Sequence, residues 1–395
     1  MLFRLTLCVT LFVVSCLAGT TNRKLKELPR DEWVTTVNGV PVPPEQAGQL
    51  IWEDNFDTFN LNRWAHEKTA SGGGNWEFQI YDNNRTNSYV KDGNLYILPT
   101  LTEERYGQGF CTNGHINLHG GSPADECTNP SWYGCERSGS ATNTINPTMS
   151  ARLRTVNSFS FKYGTLEARA KMPRGDWIWP AIWMLPRHNA YAGWPSSGEI
   201  DLVESRGNVD YHFEGQPQIG EKLAGSTLHY GPFWPLNGYE NAHAEMIKDQ
   251  GFGSEFTTYK VEWTPDYIRF SYDGIVIGTI DPGPEGFWSL FPFEQMAPGV
   301  KNPWEIGTKM APFDKEFYII LNVAVGGTNS FFPDGAINGE NNSRPKPWSN
   351  SASNAMGDFL NAQNEWYPTW NGEDAAMVVD YVRVYALDTQ EKTKM

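Results

Sequence analysis

From Ile51 onward, short runs rich in β-branched and aromatic residues alternate with clusters of Gly, Asn, Asp and Pro. Examples are Trp76-Glu77-Phe78-Gln79-Ile80-Tyr81, Ser88-Tyr89-Val90 and Asn94-Leu95-Tyr96-Ile97-Leu98. Each has the composition and length of a strand. Gly164-Thr165-Leu166-Glu167-Ala168-Arg169-Ala170-Lys171 alternates apolar and polar positions, the period of a strand with one face buried. Lys91-Asp92-Gly93 and Asp273-Gly274 carry the turn chemistry of β-hairpins. No segment sustains a 3.6-residue apolar period, so helices are expected to be short and peripheral. Many short strands at near-regular spacing, with no linker after Leu50, predict a single large all-β sandwich over residues 51–388.

One predicted strand, Ser197-Gly198-Glu199-Ile200-Asp201-Leu202-Val203-Glu204-Ser205, holds three acids among apolar residues. Glu199 and Asp201 share a face by period two, whereas Glu204 falls on the other. One extra residue at Leu202-Val203, a β-bulge, would return Glu204 to the first two. The bland alternative is a solvated strand face with one glutamate turned away. Carboxyls crowded on one face repel and desolvate one another, which favours chemistry over stability as the reason for them.

The chain of 395 residues opens with an apolar run, Leu5 to Leu17, ending in Cys16-Leu17-Ala18. Its small residues suit signal-peptidase cleavage, and its length falls short of the roughly 20 residues of a membrane span. Residues 1–18 therefore read as a signal peptide, and a secreted, extracellular protein follows. Residues 19–50, polar and then Pro-rich, read as a mobile leader or a strand-like arm, and 389–395 as a charged tail. Net charge is −15, which argues against nucleic acid or an anionic membrane surface as the partner. A monomer is expected.

Aromatic residues make up 14% of the chain, with 16 Trp, which hints at carbohydrate because rings stack on sugars as well as filling cores. Trp177, Trp179 and Trp183 would share one face of a straight strand, a floor for a sugar chain unless they are core residues. Secretion favours one disulfide among Cys111, Cys127 and Cys135 without saying which, and the nearby His115 and His119 match no standard zinc spacing. Two long segments, Glu103 to Pro147 and Asn329 to Pro368, either border a cleft or are surface insertions. Asn84-Arg85-Thr86 and Asn341-Asn342-Ser343 are glycosylation sequons.

Paired carboxyls about 5 Å apart can hydrolyse a glycosidic bond with retention, one as nucleophile and the other as acid/base. In that scheme Asp201 lies between Glu199 and Glu204 and helps set their ionisation, and the retained proton is expected on the acid/base.

Glu199-Ile200-Asp201-Leu202-Val203-Glu204 resembles the Glu-x-Asp-x-x-Glu signature of family 16 glycoside hydrolases, in the six-residue, bulged form of β-1,3-glucanases. The resemblance extends over roughly Ile51 to Ala386 through Gly74-Asn75-Trp76-Glu77, Trp179-Pro180-Ala181-Ile182-Trp183, Ser226-Thr227-Leu228-His229-Tyr230 and Asp380-Tyr381-Val382-Arg383-Val384-Tyr385. It implies a jelly-roll sandwich of two curved antiparallel sheets with a concave cleft. It also implies Glu199 as nucleophile, Asp201 as its assistant and Glu204 as acid/base. By the same likeness Trp179 and Trp183 are cleft tryptophans, His229 lies near the trio, and Asn75 and Glu77 belong to a sugar-contacting loop. The partner implied is a β-1,3-glucan polysaccharide, and no cofactor or catalytic metal is required. A structural calcium is left open, since Asp54-Asn55-Phe56 departs from the usual Asp-Glu-Phe. The group includes non-catalytic glucan-recognition proteins of innate immunity that have lost the acids. All three acids here favour an active endo-β-1,3-glucanase, with recognition alone and an adhesive lectin as alternatives. About thirty residues separate Ala18 from the first matching strand, so no extra N-terminal glucan-binding module is expected.

Overall fold

A computed structural model describes residue 29, residues 33–120 and residues 126–388. The signal peptide and the charged tail expected from the sequence lie outside the described residues.

Two large, mainly antiparallel sheets face each other. One has ten strands, with the acid strand Glu199–Ser205 between Ile178–Pro186 and Leu223–His229. Its order continues from Ile178–Pro186 to Phe317–Val325. The other has eight strands, built around Gly164–Lys171, Thr257–Trp263 and Met377–Tyr385. In Gly164–Lys171 burial alternates along the strand, so Leu166, Ala168 and Ala170 face inward. They meet Ile182, Ile200, Leu202 and Leu321 of the opposite sheet in one continuous core. Full burial of the leucines and isoleucines among them stabilises the fold by about 1.5–3 kcal/mol each relative to exposure. Phe317–Val325 is buried on almost every residue because it is covered on both faces. Among the described residues no helix is long and apolar enough to cross a membrane. The α-helices run from four residues (Phe110–Asn113) to seven (Ala355–Asn361).

Both predicted hairpin turns form, with Asp92-Gly93 and Asp273-Gly274 each in the left-handed region. Of the two alternatives for residues 19–50, a mobile leader or a strand-like arm, residues 36–41 take the second. Thr36–Val37 and Val40–Pro41 form a hairpin about Asn38-Gly39 at the sheet edge, and its first strand pairs with Phe161–Lys162. Glu316 holds it, accepting hydrogen bonds from Thr36 Oγ1 at 2.9 Å and Gly39 N at 2.6 Å.

The two long segments are folded parts of the domain. Within the first, His115–Asn117 pairs with Glu136–Ser138, and Ile116, Leu118 and Ile145 form a small core with Ala70, Ile80 and Met149. The disulfide left open by the sequence joins Cys127 to Cys135, which removes both from any thiolate metal set. Cys111 is a buried free thiol, pushed up to about 12 by that burial and by the Glu103 carboxylate. In the second segment Trp348, Phe359 and Trp366 pack onto Phe78, Trp177 and Phe332.

Candidate active site

The register of the acid strand contains the extra residue. Against Leu223–His229, Asp201 pairs with Thr227 and Glu204 with Gly225, so three steps on one strand oppose two on the other. Against Ile178–Pro186 the same shift appears, Val203 facing Ile182 and Asp201 facing Trp183. Leu202 and Val203 are both fully buried, and the carbonyl of Leu202 accepts from Ser226 Oγ at 2.7 Å and Tyr272 Oη at 3.3 Å. Tyr272 belongs to the opposite sheet, so the second layer of the sandwich helps pin the bulge. Past it, Glu204 rejoins Glu199 and Asp201 on the cleft side.

Each acid has a defined contact. Glu199 Oε2 accepts from Trp194 Nε1 at 3.0 Å, and Glu204 Oε1 from Trp179 Nε1 at 2.9 Å. His229 Nε2 lies 3.2 Å from Asp201 Oδ2 and 3.7 Å from Glu199 Oε1. The tautomer follows from its neighbours. Tyr230 N donates to Asn237 Oδ1, which turns the amide so that Asn237 Nδ2 meets His229 Nδ1 at 2.8 Å. Nδ1 is then an acceptor, and the ring proton sits on Nε2, toward the two acids.

Burial and, after it, the Asp201 charge push Glu199 up to about 8. Burial and then Glu204 hold Asp201 well above the ordinary carboxylate range. The sequence reading expects the retained proton on Glu204, whereas Glu199 and Asp201 are both held upward by burial and neighbouring charge. A proton on Asp201 removes the main charge opposing ionisation of Glu199, so the proton belongs to the cluster as a whole.

Aromatic side chains that the sequence reading passed over line one side. Trp194, Trp234 and Tyr239 are partly exposed around His229, with ring centroids 5.5 to 5.8 Å apart in sequence about it. The available signal was two Trp-Pro pairs in the loops on either side of the trio, Trp194-Pro195 and Trp234-Pro235. On the other side Trp183 Nε1 donates to Asn322 Oδ1 at 2.6 Å, Asn322 Nδ2 donates to Tyr81 Oη at 3.1 Å, and the Arg152 guanidinium lies over both the Trp183 and Tyr81 rings.

Three expectations need correction. Trp177 does not join Trp179 and Trp183; it precedes the strand in a left-handed conformation and is wholly buried. Trp179 is no open floor, since Phe331 stacks on its ring at 3.8 Å and 7°. Glu77 is buried rather than presented to the cleft, its carboxylate accepting from Asn75 Nδ2 at 3.0 Å and Gln79 Nε2 at 2.6 Å. Burial raises its pKa.

At the position considered for calcium, Asp54 Oδ1 accepts from Phe56 N and Oδ2 from Trp64 Nε1, while Asn55 Oδ1 accepts from the Arg383 guanidinium. Oxygens so engaged beside a cation do not fit a calcium ligand set. Among the described residues, Glu199, Asp201 and His229 have ligand atoms within 4.8 Å of one another, a spacing that could hold a cation.

Carboxyls and aromatic rings in the concave sheet of a jelly-roll sandwich define a glycosidase-type cleft. The chain belongs to glycosyl hydrolases family 16, whose sequence profile matches residues 129–309. It is 51% identical to a beta-1,3-glucan-binding protein of Penaeus monodon over 87% of this chain and 92% of that protein. A beta-1,3-glucan-binding protein 1 of Galleria mellonella is 34% identical over 86% of this chain, which spans 64% of that longer relative. Glucan endo-1,3-beta-glucosidase A1 of Niallia circulans is 31% identical over 73% of this chain and 36% of that protein. The fold is shared with the endo-beta-1,3-glucanase of Pyrococcus furiosus, with TM-score 0.51 and 24% identity, over 86% of this chain and 94% of that one.

Proposed function

We propose that this chain binds β-1,3-glucan in the concave cleft and serves recognition of that polymer. The observation that carries this reading is its likeness, over nearly the whole length of the relative, to a protein named for binding β-1,3-glucan. The cleft suits a neutral chain: rings of Trp183, Trp194, Trp234 and Tyr239 offer apolar faces, and His229 and the acids offer hydrogen-bonding partners.

A second reading, retaining hydrolysis of the bound glucan, is favoured by one feature. All three acids are present, and the outer two each take an indole N–H. In that chemistry the Glu199 carboxylate attacks the anomeric carbon while Glu204 gives its proton to the departing glycosidic oxygen. Water, deprotonated by Glu204, then displaces Glu199 and restores the β configuration. Asp201, beside Glu199 and 3.2 Å from His229 Nε2, sets how readily Glu199 takes up and gives back its charge.

Co-sedimentation with an insoluble β-1,3-glucan, run beside a reducing-end assay on laminarin, tests both. Recognition predicts retention on the polymer with no new reducing ends. Hydrolysis predicts reducing ends that disappear in Glu199→Gln. Protein left wholly in the supernatant, with no product, contradicts the glucan reading.

A further inference from the structure

A groove of about 960 Å³ lies between the two long segments, outside the carboxylate cleft. Its walls include Trp76, Trp132, Tyr133, His115, Asn143 and Asn354. The three large rings are open to solvent, at 50%, 46% and 80% exposure, so core packing does not account for them. All three also sit in the left-handed region, with φ of 55°, 50° and 61°. Bulky side chains are rare there, and strain of this kind persists where the surroundings impose it, often at ligand sites.

The surroundings here do impose it. The Cys127–Cys135 disulfide brackets the turn. Ala70 N donates to Gly134 O at 2.7 Å, and Arg137 Nη2 donates to Trp132 O at 2.8 Å. The groove is also tied to the cleft floor. Arg137 Nη1 donates to Asn146 Oδ1, and Asn146 Nδ2 to the carbonyl of Gln79, whose side chain meets Glu77. Tyr81, two residues on, bonds Asn322 beside Trp183. On its other flank Thr328, which lines the groove, is three residues from Phe331, the ring stacked on Trp179.

The ligand chemistry can be read from these groups. Trp76 and Trp132, with centroids 6.0 Å apart, offer apolar faces, and Asn143, Ser138 and Asn354 offer hydrogen bonds. Glu136 and Arg137 both line the groove, so their opposite charges offset and leave little net charge for an anionic ligand. A neutral polyhydroxylated chain fits.

We propose that this groove is a second glucan-binding surface, which takes the stretch of polymer running beyond the carboxylate cleft. It rests on the β-1,3-glucan reading of that cleft. Trp132→Gly and Tyr133→Gly test it, because glycine accepts the left-handed backbone without strain. The expected result is about tenfold weaker binding of polymeric laminarin, as when an aromatic anchor is lost. Affinity for a short β-1,3-gluco-oligosaccharide stays unchanged, and the melting temperature is equal or higher. Variants that bind the polymer as tightly as wild type, or that lose stability and short-chain binding together, overturn the groove proposal while leaving the cleft reading intact. Wild-type protein that binds neither ligand overturns the cleft reading, and the groove proposal with it.

Discussion

Glu199 pairs a half-buried position with two acidic neighbours, and that combination has a thermodynamic consequence. Its pKa in the folded protein, about 8, lies above the unfolded value in the ordinary glutamate range. Between those two values the folded state holds a proton that the unfolded chain has released, so stability declines as pH rises through that interval. The slope is bounded at about 1.4 kcal/mol per pH unit for each proton so held. Melting temperatures taken from pH 5 to 8 are therefore expected to fall with rising pH, and less steeply in Glu199→Gln. Equal slopes for the two proteins would show that the trio does not titrate in this way. His229 is legible at the same scale as a lone histidine near the acids. Its tautomer was not legible, because it depends on Asn237 and the backbone of Tyr230, eight residues along and across a turn.

The acid strand shows how an element can announce a departure from regularity. Glu199, Asp201 and Glu204 cannot share a face of a straight strand, and the observed register places the extra residue at Leu202-Val203, where the spacing requires it. What supports the bulge was not legible, since Ser226 and Tyr272 come from a neighbouring strand and from the opposite sheet. Ser226→Ala leaves a buried carbonyl with a weaker set of partners, and Tyr272 Oη, 2.9 Å from Ser226 Oγ, loses a partner too. A loss of about 1–3 kcal/mol is expected, read as a lower urea midpoint, together with weaker glucan binding as Glu204 moves. An unchanged midpoint would mean that the bulge holds without this hydrogen bond. The Asn38-Gly39 turn is the opposite case: a strong hairpin signal stood in the sequence, but the Pro-rich surroundings hid it.

For the whole molecule, the all-β sandwich was legible because strand periodicity and turn residues recur through residues 51–388 and agree with one another. The roles of single tryptophans were not, since Trp177 takes a left-handed backbone and meets Trp348, Trp179 is covered by Phe331, and Trp183 bonds Asn322. The Cys127–Cys135 pairing and the groove beside it likewise depend on how two long segments fold against each other. Every binding prediction above depends on the carboxylate cleft being the glucan site. Titration calorimetry of a short β-1,3-gluco-oligosaccharide into Glu199→Gln, which cannot consume it by the mechanism above, tests that directly. A saturable single-site isotherm that weakens on adding Trp194→Ala and Trp234→Ala is predicted. No binding, or binding indifferent to those two rings, would place the glucan elsewhere and contradict the account.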